Sequence, residues 1–213
     1  MILMPLFRWS MNSCPAAWKS DMTRKLGREF YLQPTLTVAR DLIGKELVLK
    51  REGHHLAGKI VETEAYIGED DPACHARFGV TKRNSIMYGI GGHTYVYFVY
   101  GMYNMLNFVT EKEGIPAAVL IRALEPTEGI EVMKIRRKTD NIGQLTSGPG
   151  KICIALDLDT KDTGIDLTGS ECFLVDSGYK PKSIIQKPRV GINDGHHLMW
   201  RFYERESKFV SKY

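Results

Sequence analysis

Two glutamates and a tyrosine stand at alternate positions in the segment Lys59–Gly68, which reads KIVETEAYIG. Because side chains alternate between faces along a β-strand, Glu62, Glu64 and Tyr66 are expected to share one face. A carboxylate next to an aromatic ring suits a pocket that stacks a flat substrate and activates a water molecule beside it. The spacing is equally compatible with the solvated acidic face of an edge strand.

A tyrosine-rich segment from His93 to Val109 predicts a β-hairpin with strands over 95–100 and 104–109. Its tip carries Tyr100, Met102 and Tyr103. Large apolar groups at a tip are poorly placed for a core, but they are well placed to insert between bases from the minor groove. The competing interpretation is that these aromatic residues line a core, as most aromatic residues in strands do.

Two basic residues are candidates for binding anions. Arg122 lies in an apolar strand predicted over 117–123, where it either forms a structural ion pair or holds a carboxylate or phosphate. A short helix is predicted to open at Pro149, with Lys151 in its first turn. Free N–H groups at such a helix start form a generic anion site that suits the DNA backbone, although an ordinary helix start has the same sequence.

The composition excludes several classes of protein. Among 213 residues, 29 Lys and Arg against 25 Asp and Glu give a net charge of +4, which permits a nucleic-acid partner without demanding one. The four cysteines form no C-x-x-C pair, so a reduced intracellular protein is expected, with the thiols packed as small apolar groups. The sequence predicts no bound metal and no cofactor, because metal-helix and nucleotide-loop motifs are lacking. No apolar run approaches a membrane span.

The periodic segments predict a mixed α/β (α+β) fold in a single domain, with a mostly antiparallel, barrel-like core, peripheral helices and the protruding hairpin. Residues 1–21 are expected to form a loose N-terminal arm, and residues 22–213 the domain. A helix is predicted from Pro126, and a short strand is predicted over Arg189–Ile192. A monomer is expected, since no seam of exposed apolar residues calls for a partner.

The chain resembles the alkyladenine (3-methylpurine) DNA glycosylases of the type found in mammals, over residues 26–203. Seven blocks in the same order carry the resemblance. They are Val61–Tyr66, His75, Arg83-Asn84, Tyr95–Tyr103 with Asn107, Leu120–Pro126, Ser147–Pro149 and Arg189–Gly191. The resemblance implies a monofunctional enzyme that needs no cofactor. Such an enzyme flips a damaged purine out of duplex DNA and hydrolyses its N-glycosidic bond, leaving a free base and an abasic site.

The resemblance also implies roles for the reacting groups. Glu64 would be the general base that deprotonates a water molecule attacking C1′ of the deoxyribose. Arg122 and the backbone carbonyl of Val190 would help to place that water. Family substrates include 3-methyladenine, 7-methylguanine, hypoxanthine and ethenoadenine.

For the DNA itself, the resemblance implies a pocket formed by Tyr66, His75 and Tyr97, which stacks and orients the flipped base. Asn107 would line this pocket and discourage guanine through its exocyclic amine. Tyr100 would fill the hole left in the duplex, and Met102 would contact the minor groove nearby. Tyr103 and Lys151 are further expected DNA contacts.

Two other functions remain open from the sequence. One is a non-catalytic nucleic-acid module, since the family fold is similar to a barrel-like domain appended to a transfer-RNA formyltransferase. The other is a bifunctional glycosylase/lyase with an amine nucleophile. Apart from Lys59 at the start of the strand, no lysine lies within the strand and hairpin that carry the candidate site.

Overall fold

The structure, a computed structural model, describes residues 24–212, and the predicted N-terminal arm lies outside this range. Nine strands occur in it. They are β1 Arg24–Lys25, β2 Glu46–Arg51, β3 His54–Ile67, β4 Thr94–Val99, β5 Tyr103–Val109, β6 Ala117–Glu128, β7 Cys172–Asp176, β8 Ile184–Lys187 and β9 Arg201–Glu204. The α-helices are α1 Arg28–Tyr31, α2 Thr35–Asp41, α3 Ile130–Arg137 and α4 Pro149–Leu156.

All of these strands pair in an antiparallel manner within one sheet. The strand order is β1-β7-β2-β3-β6-β5-β4, and β9 joins β3 to β8. The predicted mixed α/β class and the single domain are therefore confirmed, and the sheet stays open and does not close into a barrel.

The 14-residue strand β3 lies at the centre of the sheet. It pairs with β6 on one side, and its other side pairs with β2 and then with β9 at Glu62–Glu64. Both glutamates are fully buried, so the alternative of a solvated edge strand is wrong. The pairing with β6 shifts register around Glu62, which marks a bulge in the middle of the sheet.

Two local predictions are wrong. Pro126 lies within β6, where it pairs with Gly58 next to a register shift that tolerates a residue without an N–H group. The helix begins instead at Ile130, after Gly129 turns the chain with a φ of 72°. The segment Arg189–Ile192 is irregular, since β8 ends at Lys187 before Pro188.

The main core lies between the sheet and the helices and is rich in Leu, Ile and Val. Helix α2 is tied to β3 by the Thr63 hydroxyl, which donates to the Ala39 carbonyl at 2.7 Å. A second, smaller core contains Cys74, Met87 and Tyr95. Cys74, Cys153 and Cys172 are buried free thiols, as predicted, whereas Cys14 lies outside the described residues.

Candidate active site

The carboxylate of Glu64 is completely buried and is held by three donors. Its Oε1 accepts from the backbone N–H of Val190 at 2.7 Å. Its Oε2 accepts from the Tyr66 hydroxyl at 2.9 Å and from Nη1 of Arg122 at 3.2 Å. Strand β3 supplies Glu64 and Tyr66, β6 supplies Arg122, and the loop after β8 supplies Val190, so three parts of the chain fix one carboxylate.

Burial raises the pKa of Glu64 above its ordinary value, and the charge of Glu62 adds to this rise. Arg122, the Val190 amide and the Tyr66 hydroxyl act in the opposite direction but do not cancel it. Burial by itself lowers the pKa of Arg122, yet Glu64 and Glu62 outweigh that effect and keep the guanidinium charged. A carboxylate with a raised pKa beside a fixed cation has the basicity expected of a general base.

Glu62 lies on the same side of β3 but has a different set of partners. Its Oε1 accepts from Nε of Arg122 at 3.0 Å, from Nε of Arg201 at 2.7 Å and from the Ser211 hydroxyl at 2.9 Å. Its Oε2 accepts from the Ser211 backbone N–H at 2.7 Å. Glu62 therefore anchors the rear of the Arg122 guanidinium, whereas Glu64 lies beside the aromatic groups.

A narrow inner cleft opens next to this cluster. Its walls are Tyr66, Ala73, His75, Met87, Tyr95, Tyr97, Asn107 and Ala118. It continues into a wider outer cleft, whose walls share Tyr66, His75 and Tyr97 and add Tyr100 and Gly191. The structure thus brings the four predicted pocket residues together around one opening.

The rings of His75 and Tyr97 meet edge to face, with centroids 4.4 Å apart. His75 Nδ1 is 2.8 Å from the Tyr95 hydroxyl, and the Arg83 guanidinium lies 5.1 Å from the centre of the Tyr97 ring. Loss of hydration on the inner side of the otherwise exposed His75 ring, followed by the charge of Arg83, lowers the pKa of His75 to about 4. The imidazole is therefore neutral at physiological pH and can lie against an aromatic base without a charge penalty.

Asn107 forms part of the cleft wall and is buried. Its side-chain nitrogen donates to the backbone carbonyls of Tyr95 and Met105, at 3.1 and 3.2 Å. Two backbone partners fix the amide, so a ligand in the cleft meets a rigid wall at this position.

A buried ion pair that the sequence analysis did not assign supports the cleft. Arg189 and Asp71 form a bidentate pair with both distances at 2.6 Å, and both side chains are inaccessible to solvent. The Arg189 guanidinium also donates to the Ala65 carbonyl and lies 4.7 Å from the centre of the Tyr66 ring. Arg189 stands immediately before Val190 in the sequence, and this was the signal that could have marked it as a site residue. No local spacing identified Asp71 as its partner.

Asn84 organises the loop that carries His75. Its amide nitrogen donates to the carbonyls of His75 and Gly79, and its oxygen accepts from the Thr81 N–H. Arg83-Asn84 is one of the blocks that carry the resemblance, which assigns it no role. The structure shows that the arginine lies on Tyr97 and the asparagine holds the loop.

The tip of the β4–β5 hairpin projects from the sheet, because β5 pairs with β6 only from Asn107 to Val109. Tyr100 and Met102 are 71% and 63% exposed. Tyr100 has a φ of 55° and Gly101 a φ of 68°, which is the pattern of a type I′ turn. An aromatic residue in the left-handed region is strained, and such strain is often found at functional sites.

Tyr103 and Lys151 lie at the base of this hairpin. The Tyr103 ring packs on Gly150, where an added Cβ would be 2.8 Å from Cδ1 of the ring. Lys151 Nζ donates to Gln144 at 2.7 Å and lines a cleft together with two further lysines, Lys208 and Lys212. Tyr103 is thus partly used for packing, and Lys151 lies in a basic surface.

Within residues 24–212, no helix is long and apolar enough to cross a membrane. In the same range, no cluster of three or more His, Cys, Asp or Glu side chains is arranged to hold a metal ion.

An aromatic cleft next to a buried carboxylate, flanked by an exposed hairpin tip, is an arrangement suited to an enzyme that acts on flat bases. Comparison with known proteins agrees with this class. The profile of the methylpurine-DNA glycosylase family matches residues 29–208. The chain therefore belongs to the methylpurine-DNA glycosylase family, whose members are hydrolases that act on N-glycosyl bonds.

Individual relatives match along nearly their whole length. A protein of Methanocella arvoryzae, named "Putative 3-methyladenine DNA glycosylase", is 51% identical over 191 residues, covering 88% of this chain and 96% of the relative. Proteins with the same name from Prosthecochloris aestuarii and Alkaliphilus oremlandii are 49% and 44% identical. They cover 87% and 88% of this chain, and 90% and 99% of their own lengths. The predicted family and enzyme class are confirmed, and DNA is the substrate that membership implies.

Proposed function

We propose that this protein is a monofunctional base-excision enzyme that removes damaged purines from duplex DNA, with Glu64 as its general base. The observation that carries the proposal is the placement of Glu64, which is fully buried yet hydrogen-bonded to Tyr66 in the cleft wall. A purine stacked in the cleft would bring its sugar close to this carboxylate. The proposed substrates are 3-methyladenine, 7-methylguanine, hypoxanthine and ethenoadenine.

In the proposed reaction a C1′–O bond replaces the N-glycosidic bond, and one proton passes from water to Glu64. A water molecule loses a proton to Glu64, its oxygen attacks C1′, and the electrons of the N-glycosidic bond leave with the base. In the proposal this water approaches Glu64 from the outer cleft, whose wall includes Tyr66 and Gly191. Arg122 would hold the carboxylate in place, and the Val190 carbonyl would orient the water. The Val190 amide already bonds Glu64 at 2.7 Å, which places this residue next to the reacting groups.

Base flipping is the step that makes the target atom accessible, at a cost of a few kcal/mol. In the proposal, Tyr100 stacks in the vacancy and Met102 lies along the minor groove, which offsets part of that cost. Their exposure on a turn of defined conformation supports this role. Tyr66, His75 and Tyr97 orient the flipped base, and the fixed amide of Asn107 opposes an exocyclic amine.

The remaining DNA contacts are proposed for Tyr103 and Lys151, at the hairpin base. The protein is proposed to act as a monomer inside the cell, without a metal or a cofactor. The lyase alternative has little support, since the walls of both clefts, as described within residues 24–212, include no lysine.

The test is single-turnover cleavage of duplex oligonucleotides carrying one hypoxanthine or methylated purine, with Glu64→Gln and the surface variant Glu113→Gln in parallel. Wild type and Glu113→Gln are expected to release free base and leave an alkali-labile abasic site. Glu64→Gln is expected to bind lesion DNA but to lose turnover by about 10²-fold or more. Intact DNA with every lesion would favour the binding module, and a borohydride-trapped adduct would favour the lyase.

A further inference from the structure

The C-terminal tail after β9 returns to the sheet and places Ser211 against the buried charges behind Glu64. Ser211 is 7% exposed. Its backbone N–H donates to Oε2 of Glu62 at 2.7 Å, and its hydroxyl donates to Oε1 of Glu62 at 2.9 Å. Nη2 of Arg122 donates to the same hydroxyl oxygen at 3.4 Å. One tail residue thus contacts both members of the Glu62–Arg122 ion pair.

The Arg122 guanidinium is shared among three acceptors. Its Nε bonds Glu62 at 3.0 Å, its Nη1 bonds Glu64 at 3.2 Å, and its Nη2 bonds Ser211. A planar guanidinium with each nitrogen committed has one orientation. Glu62 is also held by Arg201 of β9 at 2.7 Å, so Ser211 supplies the contacts to this cluster that the sheet does not.

We propose that Ser211 is a positioning residue, which holds Glu62 and the outer nitrogen of Arg122 so that the guanidinium stays directed at Glu64. The inference rests on the proposed function, since it concerns the group assigned as general base. It goes beyond the family resemblance, because the family profile ends at residue 208 and Ser211 lies past it.

Several charged or titratable groups act on Glu64 from the elements around it. They are Arg122 from β6, Glu62 and Tyr66 from β3, Tyr97 from β4, and Arg189 with the Val190 amide from the loop after β8. Of these groups, Ser211 contacts Arg122 and Glu62.

Without the Ser211 hydroxyl, Nη2 of Arg122 loses its acceptor and Glu62 draws the guanidinium towards itself. The weaker attraction at Glu64 would let that carboxylate keep its proton to a higher pH.

The first test is the pH profile of single-turnover excision for wild type, Ser211→Ala and Ser211→Thr. Ser211→Ala is expected to move the acid limb of the profile to higher pH by about half a unit. The excision rate on that limb should be roughly threefold lower, and the rate on the alkaline plateau should not change. Ser211→Thr keeps a hydroxyl and is expected to restore the wild-type profile. The control is Ser207→Ala, which removes a hydroxyl that accepts from the backbone N–H of Phe209 within the same tail.

The second test does not depend on turnover. NMR titration of ¹³C-labelled glutamate carboxyl groups, with Glu64→Gln to assign the resonance, is expected to show a higher pKa for Glu64 in Ser211→Ala. If wild type excises nothing but this pKa still rises, the proposed function fails and the positioning role stands. An unchanged pKa, or a rate reduced equally at every pH together with a lower melting temperature, overturns the positioning role. Ser211→Cys, a weaker donor of similar size, is expected to shift the same way and replaces Ser211→Ala if that variant does not fold.

Discussion

The Tyr66 hydroxyl donates a 2.9 Å hydrogen bond to Oε2 of Glu64, although the two side chains belong to the same strand only two residues apart. The Tyr66 ring forms part of the cleft wall, while its hydroxyl points to the buried carboxylate. Burial, followed by the charge of Glu64, raises the pKa of Tyr66 well above its usual value, so this hydroxyl keeps its proton. One residue therefore couples the surface that would stack a base to the group that would activate water.

Tyr66→Phe separates these two functions, because it keeps the ring and removes the hydroxyl. Lesion-DNA affinity is expected to stay within about twofold, since stacking area is unchanged. The acid limb of the pH–rate profile for excision is expected to move up by about one pH unit, because Glu64 loses a donor that lowers its pKa. On that limb the excision rate should be roughly tenfold lower than in wild type. Fluorescence anisotropy and single-turnover rates from pH 5 to 8 measure the two effects. Tyr88→Phe, which removes a hydroxyl bonded to Glu69, is the matched control.

The raised pKa of Glu64 also predicts how stability changes with pH. Between the unfolded value near 4.5 and the higher folded value, the folded state holds a proton that the unfolded chain has released. Wild type is therefore expected to lose stability relative to Glu64→Gln as pH rises through that window, by about 1.4 kcal/mol per pH unit. Urea unfolding of both proteins from pH 4 to 8 measures the difference. A stability difference between the two proteins that does not change with pH would mean that the three donors cancel the effect of burial on the pKa of Glu64. If wild type instead gains stability relative to Glu64→Gln as pH rises, the donors outweigh burial.

The sequence was sufficient to predict the groups that lie close together along the chain. The alternation of Glu62, Glu64 and Tyr66 predicted their common face, and the tyrosine-rich segment from His93 to Val109 predicted the hairpin, because both depend on local backbone geometry. The resemblance supplied His75, Tyr97 and Asn107 as pocket residues, and the structure brings them together around one cleft.

The supports of the site could not be predicted, because they join residues distant in sequence. Asp71 and Arg189 are 118 positions apart, and Glu62 and Ser211 are 149 apart. Nothing in their local patterns marks such pairs. Pro126 was mispredicted for the opposite reason, since a sound local rule for helix starts was overridden when β6 extended its pairing with β3 to Glu128.

Asp71→Asn is expected to be strongly destabilising, because it leaves Arg189 as an unpaired charge in a site without solvent access. Breaking one side of a buried pair costs about 3–5 kcal/mol, and urea unfolding at pH 7 measures it. Lesion-DNA binding is expected to weaken as well, since Arg189 supports the Tyr66 ring from 4.7 Å. Asp194→Asn removes the exposed partner of Arg77 and is expected to cost less than about 1 kcal/mol. Equal losses for the two variants would contradict a supporting role for the buried pair.

Tyr100→Asn is expected to increase stability and to weaken function. Tyr100 has a φ of 55°, and the left-handed region costs most L-residues about 1–2 kcal/mol, part of which asparagine recovers. The free energy of unfolding should therefore rise slightly, while affinity for lesion duplex should fall about tenfold or more through the lost stacking. Excision from single-stranded DNA, which has no vacancy to fill, should change little. Tyr100→Phe keeps both the ring and the strained backbone and should match wild type in all three measurements. Undiminished duplex binding by Tyr100→Asn would show that the hairpin tip does not enter the DNA.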